Sequence, residues 1–440
     1  MTIESTNQAT GEFQQQSFSL LQVVQRLLDQ SWFVQLLNPL MGGFNPFLQK
    51  YRADPYPFLH ELRRRRPVYF SPVLREWFLS RHRDVVSILR DQRFSAERGR
   101  SNIFKRIQPL RGLRPDFTEA IMRNVLMLDP PDHTRLRRLV VKAFTPRLIE
   151  GLRPRIQAIV DELLQEMERR NDVDLVQALA YPLPVIVICE MLGVPSEDRA
   201  QLKKWSDDMA ALLDPLQATG GMEYLERVYV DLAAYFRNIF AQRRAQPRDD
   251  LISSLVAVED QGERLSEAEL LSLCAVILGA GHETTTNLIG NAVVALLRNP
   301  TERRRLQDNP DCIGSAVEEF LRYDSPVQLT DRVALEDCEI GGKRIRKGVM
   351  VAVLLGAANR DPERFAEPDR LDIKRQDNDH VAFGHGVHFC LGASLARIET
   401  QVAIASLLRR FPDFSGDSSH LIHRRSMVLR GVVSLPVKLT

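Results

Sequence analysis

Apolar positions along this chain recur mostly at helical spacing. Over residues 148–170, Leu148, Leu152, Ile156, Ile159, Leu163, Leu164 and Met167 fall near a 3.6-residue period, which predicts an amphipathic helix. Residues 222–244 repeat that character. The strongest pattern opens at Ser266-Glu267-Ala268-Glu269, a capping-box sequence in which a serine and a glutamate three residues on satisfy orphan backbone donors. Apolar residues continue from there almost to Asn299-Pro300, a stop signal. A helix of that length spans roughly 50 Å. Being apolar on nearly every side, it belongs at the centre of a domain.

Strand signals are short. Val68-Tyr69-Phe70 and Trp77-Phe78-Leu79 predict a hairpin over residues 67–80. Arg332-Val333-Ala334, a Gly341-Gly342 turn and the run Val349 to Leu354 predict strands over residues 332–354. The fold class expected is mainly α with a minor β part. No internal repeat, long Gly/Ser linker or break in composition divides the chain. Residues 45–440 are therefore read as one domain, and residues 1–44 as an N-terminal tail with an amphipathic helix. Residues 1–17 read as disordered. Residues 18–41 are apolar but interrupted by Arg26, Asp29 and several glutamines, which argues against a membrane span. A helix packed on its own protein and a contact with a membrane surface or partner both stay open there.

Composition narrows the functions little. The chain is 44% hydrophobic and 26% charged, ordinary for a globular protein, and its net charge of +2 argues against a general nucleic-acid binder. The cysteines Cys189, Cys274, Cys312, Cys338 and Cys390 are scattered and odd in number, which fits a reducing compartment better than a disulfide framework. There is no basic n-region of a secretory signal. Arg63 to Arg66 form a basic run read as a solvated helix face.

One cysteine stands apart. Cys390 follows the glycine-rich loop Phe383-Gly384-His385-Gly386-Val387-His388-Phe389 and opens an apolar helix with Leu395, Ile398 and Val402. Backbone donors and a helix N-terminus favour a thiolate and lower its pKa, as a metal ligand requires. A zinc site with His385 and His388 would lack a fourth ligand of suitable spacing. Elsewhere, Ala280-Gly281-His282-Glu283-Thr284-Thr285 interrupts the long helix with poor helix formers, which suggests a distortion there. The bland reading of Thr284 is a bond to its own i−4 carbonyl, that of Ala280. In Glu318-Glu319-Phe320-Leu321-Arg322 either glutamate lies within reach of Arg322.

Taken together, these motifs resemble, in order and over about residues 45 to 440, those of bacterial cytochrome P-450, a haem-thiolate monooxygenase. The resemblance implies that fold, with a long central distal helix and a proximal cysteine-loop helix enclosing haem b. Cys390 would be the axial iron ligand. The haem would also meet Ala280, Gly281, Thr284, Ala382, Phe383, Gly384, Gly392 and Ala396, with His133, Arg137, Arg332 and His388 on its propionates. Thr284 would steady dioxygen and its water in a groove of the distal helix, and Glu283 would relay protons from solvent. Glu319 and Arg322 would form a buried pair joined by Arg370 of Pro368-Asp369-Arg370-Leu371.

The same resemblance places substrate contacts in residues 95–115 and 195–230, at Ile277 and Ala280, and at Val327 to Thr330 including Leu329. An apolar or amphipathic small molecule of fatty acyl, macrolide, terpenoid or steroid class is expected, free or carrier-bound. No flavin, iron–sulfur or Rossmann signature accompanies the motifs, so electrons are expected from a separate ferredoxin or flavodoxin with its reductase. Arg135, Arg138 and Lys142 would steer that acidic donor. A monomer in the cytoplasm, free or at a membrane surface, completes the expectation. The rivals are a peroxide-driven peroxygenase and a non-catalytic haem-thiolate sensor or carrier; neither needs the Glu283–Thr284 acid–alcohol pair.

Overall fold

The computed structural model describes residues 30–39, 41, 44–107, 112–170, 172–210, 221–260 and 262–439. The helices that frame the interior are α1 (Asp132–Ala143), α2 (Arg153–Glu168), α3 (Pro182–Met191), α4 (Arg199–Ala210), α5 (Gly221–Ala245), α6 (Glu267–Arg298), α7 (Ile313–Tyr323) and α8 (Ala393–Arg410). The predicted capping box starts α6: Ser266 Oγ accepts from Glu269 N at 3.2 Å, and Glu269 Oε2 accepts from Ser266 N at 2.8 Å. Such a cap stabilises a helix by about 1 kcal/mol. α6 packs against α3, α4, α5, α7 and α8, which is why Leu278, Leu288, Ile289, Ala292, Val293 and Leu296 are all buried. Burying each such leucine or isoleucine side chain contributes roughly 1.5–3 kcal/mol.

The helix predicted over residues 148–170 is two helices. Pro146–Gly151 ends before Leu152, and α2 begins at Arg153 with Pro154 at its N-terminal turn. Proline has no N–H to give to a continuing helix, but at a helix start none is required. Ile156, Ile159, Leu164 and Met167 are buried as the period predicts, whereas Leu148, on the first piece, is exposed. Residues 222–244 fall inside α5.

The sheet consists of β1 (Val68–Ser71), β2 (Glu76–Leu79), β3 (Phe94–Ser95), β4 (Thr330–Ala334) and β5 (Met350–Val353), in the order β1-β2-β5-β4-β3. β1 and β2 form the predicted hairpin; β5 runs parallel to β2 and antiparallel to β4. The Gly341-Gly342 turn belongs to a separate hairpin, Cys338–Ile340 with Lys343–Ile345. Both glycines have positive φ, 55° and 72°, which a tight hairpin turn of this kind demands.

Of the segment 18–41, residues 18–29 and 40 lie outside the described residues, as does the tail 1–17. The described part includes a short helix, Ser31–Leu37, with Val34 buried and Trp32 and Leu36 exposed. Among the described residues no helix is long and apolar enough to cross a membrane. Arg63 departs from the solvated face expected of its run. It is buried, with Nη1 and Nη2 donating to the carbonyls of Ala357 (2.8 Å) and Arg360 (3.0 Å), while Arg64 and Arg65 stay exposed beside Glu61.

Candidate active site

α6 and the start of α8 face each other across a cavity of about 340 Å³. Ile277, Ala280, Gly281 and Thr284 line it from α6. Ala382, Phe383, Gly384, His388, Cys390, Gly392 and Ala396 line it from the cysteine loop and α8, and Val327 and Leu329 from the segment before β4. Residues scattered over more than a hundred positions of sequence thus share one mostly apolar space. The cited substrate segments 95–115 and 195–230 are only partly described, since residues 108–111 and 211–220 are not.

Cys390 is solvent-accessible only in the sense that it borders this cavity; protein surrounds it deeply on its other sides. Its N–H donates to Phe383 O at 2.9 Å, closing the loop. The turn depends on Gly386, at φ 71°, where a Cβ would come within 2.5 Å of Leu89 O. Burial pushes the thiol pKa up, and the N–H groups of Gly392 and Ala393 and the guanidinium groups of Arg137 and Arg397 offset only part of that. The lowered pKa expected from the helix N-terminus is therefore corrected: backbone donors are present, but desolvation outweighs them. Among the described residues no group of three or more His, Cys, Asp or Glu is placed to hold a metal ion.

At the cavity's edge two imidazoles and two guanidinium groups, those of Arg137 and Arg332, gather. The rings of His133 and His388 lie 4.1 Å apart. Burial, then Arg137, pushes His133 down to about 4, and burial, then Arg332, pushes His388 down to about 3. Both ring nitrogens of His133 are buried with no partner among the described residues. Arg332 is buried, which pushes it down to about 10, and Arg137 donates to the backbone of Phe389 at 2.6 Å. Asp129 braces the neighbourhood through Ser95 Oγ (2.5 Å) and the N–H of Ala96 (2.8 Å).

On the opposite wall Thr284 Oγ1 donates to Ala280 O at 2.8 Å and Thr285 Oγ1 to Gly281 O at 3.1 Å. The helix itself runs unbroken through this segment, so the distortion expected from its composition takes the milder form of hydroxyls bonded to i−4 carbonyls. Gly281 sits against α3, where a Cβ would meet Ile188 Cδ1 at 2.8 Å. Glu283 is buried and turned away from the cavity, with Oε1 3.1 Å from Arg424 Nη1.

A family model described as cytochrome P450 matches residues 47–435 of the chain. This chain belongs to the cytochrome P450 family. It is similar to cytochrome P450 CYP107DY1 of Priestia megaterium, 45% identical over 82% of this chain and 89% of that protein. It is also similar to a vitamin D(3) 25-hydroxylase of Pseudonocardia autotrophica, 42% identical over 87% and 93%. Among solved structures it resembles P450BioI in complex with an acyl carrier protein ligated by hexadec-9Z-enoic acid, with a TM-score of 0.82 and 38% identity over 89% of this chain and 99% of that one.

P450 family and fold imply a haem-thiolate cofactor, and the residues present fit one. The cavity holds a thiol that needs a cation to become a thiolate, and its rim holds the unpartnered ring of His133, the His388 ring and the guanidinium groups of Arg137 and Arg332, all donors suited to an anionic group. An iron and two propionates are the complementary charges.

Behind the P450 cavity, Glu319 and Arg322 are completely buried and joined by two bonds of 2.8 Å. The third member is Arg375, with Nε 3.1 Å from Glu319 Oε2, and not Arg370. Arg370 is exposed and pairs with Glu367 at 2.7 Å; only its carbonyl reaches the cluster, accepting from Arg322 at 3.2 Å. Glu318 serves a different purpose. It binds Arg397 through bonds of 2.6 and 2.8 Å and His380 at 3.1 Å, and the Arg397 guanidinium lies 4.7 Å from the Phe383 ring centroid. That arrangement fixes the loop ahead of Cys390. Of the expected donor-steering charges, Arg135 pairs with Glu269 and Arg138 lies 3.5 Å from Glu263, so both are largely offset.

Two residues at the site were not singled out from sequence. Glu399 lines the cavity from α8, buried, with Oε2 unpartnered among the described residues and its pKa pushed up by burial to about 8. A lone acid between Ile398 and Val402 was the available signal. Arg424 had none, since it sits in an irregular segment far from Glu283 in sequence.

Proposed function

We propose that this P450 inserts one oxygen atom from dioxygen into an apolar or amphipathic small molecule, with electrons from a separate ferredoxin or flavodoxin system. The reading is carried by the opposition of Cys390 and the Ala280–Thr284 segment across one apolar cavity. When bound, the haem would supply oxygen activation, which a thiolate ligand favours. Cys390 would hold the iron through Sγ. His133, Arg137, Arg332 and His388 would neutralise the propionates with charged or hydrogen-bonding donors. The small side chain of Ala280 keeps room beside the Thr284 hydroxyl, and the missing one of Gly281 lets α6 pack closely on Ile188 of α3. Thr284 orients water and oxygen there, and Glu283 supplies protons from the solvent side. Ile277, Val327 and Leu329 exclude water and orient the substrate through apolar contact.

The substrate proposed is a fatty acyl, macrolide, terpenoid or steroid molecule. A vitamin D(3) hydroxylase and an acyl-carrier-protein complex among the relatives support steroid-like and carrier-bound acyl members of that range. The free cysteines support a reducing, cytoplasmic setting. An optical spectrum of the reduced protein under carbon monoxide tests the ligation: Cys390→Ala should lose the thiolate-type band, and an unaltered band refutes the assignment. A screen for spin-state shifts across these four classes then tests the substrate range.

A further inference from the structure

His282 and Glu283 are neighbours on α6 that engage different parts of the chain. The His282 ring lies 2.6 Å from Ser206 Oγ and 3.2 Å from Asp207 Oδ1 on α4, and Tyr181 OH donates to the same Asp207 at 2.7 Å. Glu283 meets the C-terminal segment instead. Arg424 places Nη1 3.1 Å from Glu283 Oε1 and donates through Nε to Asn287 Oδ1 at 3.0 Å, bridging positions one turn apart. One turn further on, Asn291 Nδ2 donates to Arg430 O at 3.0 Å and to Asp324 O at 3.1 Å. Glu283, Asn287 and Asn291 thus form the stripe to which the C-terminal segment is fastened. Gly431 permits this approach, because a Cβ there would collide with Asn287 Oδ1.

Arg424 also borders a small chamber of about 20 Å³ shared with Gln328, His423 and Arg430. That is room for one water molecule, which needs two to four polar partners. Gln328 Oε1 and His423 Nδ1 are buried with no partner among the described residues. Burial pushes His423 down to about 4, so its ring is neutral at pH 7, and a hydrogen bond to the Leu421 backbone leaves Nδ1 as an acceptor. Gln328 and His423 line this water-sized space together with Arg424 and Arg430, and a single water there donates to the two unpartnered acceptors.

We propose that Arg424 is the positioning residue of Glu283, and that the Gln328–His423 chamber beside it is a water site through which solvent reaches that carboxylate. The inference rests on the monooxygenase reading. A proton that Glu283 gives up toward the cavity is replaced from bulk water along the C-terminal segment, not past the hydrogen-bonded His282–Asp207 side.

The test uses the full-length haem protein and the variants Arg424→Met, Arg424→Lys and Gln328→Met. Arg424→Met is expected to lose between about tenfold and a hundredfold in product formed per electron pair, with a larger solvent deuterium isotope effect. Arg424→Lys should recover most of that loss, and Gln328→Met should share the enlarged isotope effect without a change in the carbon monoxide band. A crystal structure that resolves waters gives a readout independent of turnover: a water bonded to Gln328 Oε1 and His423 Nδ1 in the wild type, lost in Gln328→Met. A chamber without water, or coupling and isotope effects unchanged in both Arg424→Met and Gln328→Met, overturns the inference. A wild type without the thiolate-type band overturns the monooxygenase reading instead, and the water site is still decided by the crystal structure.

Discussion

Replacing Arg375 by methionine should destabilise the protein far more than the same change at Arg370. Arg375 is mostly buried; its Nε lies 3.1 and 3.3 Å from the two carboxylate oxygens of Glu319, and Nη1 donates to Ala366 O at 2.9 Å. Removing it leaves Glu319 paired with Arg322, so the roughly 3–5 kcal/mol cost of stranding a buried charge is not incurred in full. One charge-assisted bond of about 1.5–3 kcal/mol is lost with the 2.9 Å carbonyl bond to Ala366, worth about 1 kcal/mol, while the longer bonds to the carbonyls of Glu367 and Arg370 (3.4 and 3.3 Å) add little, for roughly 2–4 kcal/mol in all. Arg370 is 55% exposed and paired with a glutamate that is 69% exposed, an interaction worth at most about 0.5 kcal/mol. Urea unfolding of the full-length haem protein at pH 7, followed by tryptophan fluorescence, should separate the two variants by about 2 kcal/mol or more. A double-mutant cycle with Glu319→Gln should show coupling for Arg375 and none for Arg370. Equal destabilisation by the two variants, or coupling at Arg370, would refute the assignment of the third partner.

Two carboxylates should give stability opposite dependences on pH. Arg397 and His380 hold Glu318 down at about 2 against burial, so its contribution is complete above its ordinary value of 4.5 and fades as pH falls toward 2. The ceiling is about 3 kcal/mol, reduced to roughly 1–2 by partial exposure. The wild-type advantage over Glu318→Gln should therefore shrink between pH 7 and pH 4 in denaturant titrations; a constant gap counts against it. Burial raises Glu399 to about 8, so its neutral form suits the fold below pH 4.5 and a penalty grows as pH rises through 8, with a ceiling of about 5 kcal/mol. Glu399→Gln should gain on the wild type from pH 5 to pH 8.5, and a difference independent of pH would contradict the buried, unpaired placement.

What the sequence made legible was whatever is encoded locally. The capping box and apolar run of α6, the Val68–Leu79 hairpin and the order of the motifs around Cys390 all depend on residues close together in the chain. The break at Leu152 was also local, but the apolar period ran across it and hid the signal of Pro154. Partner choice was legible only where a motif named it. Glu319 was distinguished from Glu318 by resemblance, whereas the third arginine required knowing how an irregular segment folds back. The thiol of Cys390 shows the same limit: its neighbours in sequence favour the anion, but the amount of protein around it, set by the tertiary fold, decides the direction. Glu283's partner lies 141 residues away in a segment without periodicity, so no pattern could have paired them.

Between Ala358 and Gly386 the chain forms neither helix nor strand, yet it is not free to wander. Arg322 donates to the carbonyls of Asn359, Pro368 and Arg370, and Arg375 to those of Ala366, Glu367 and Arg370. Two guanidinium groups thus do for this stretch what a neighbouring strand does in a sheet. Because they read main-chain oxygens, they are indifferent to most side chains there but sensitive to spacing. Homologous chains should accordingly vary in residue type across this stretch while keeping its length, and a single inserted residue should do more harm than several substitutions.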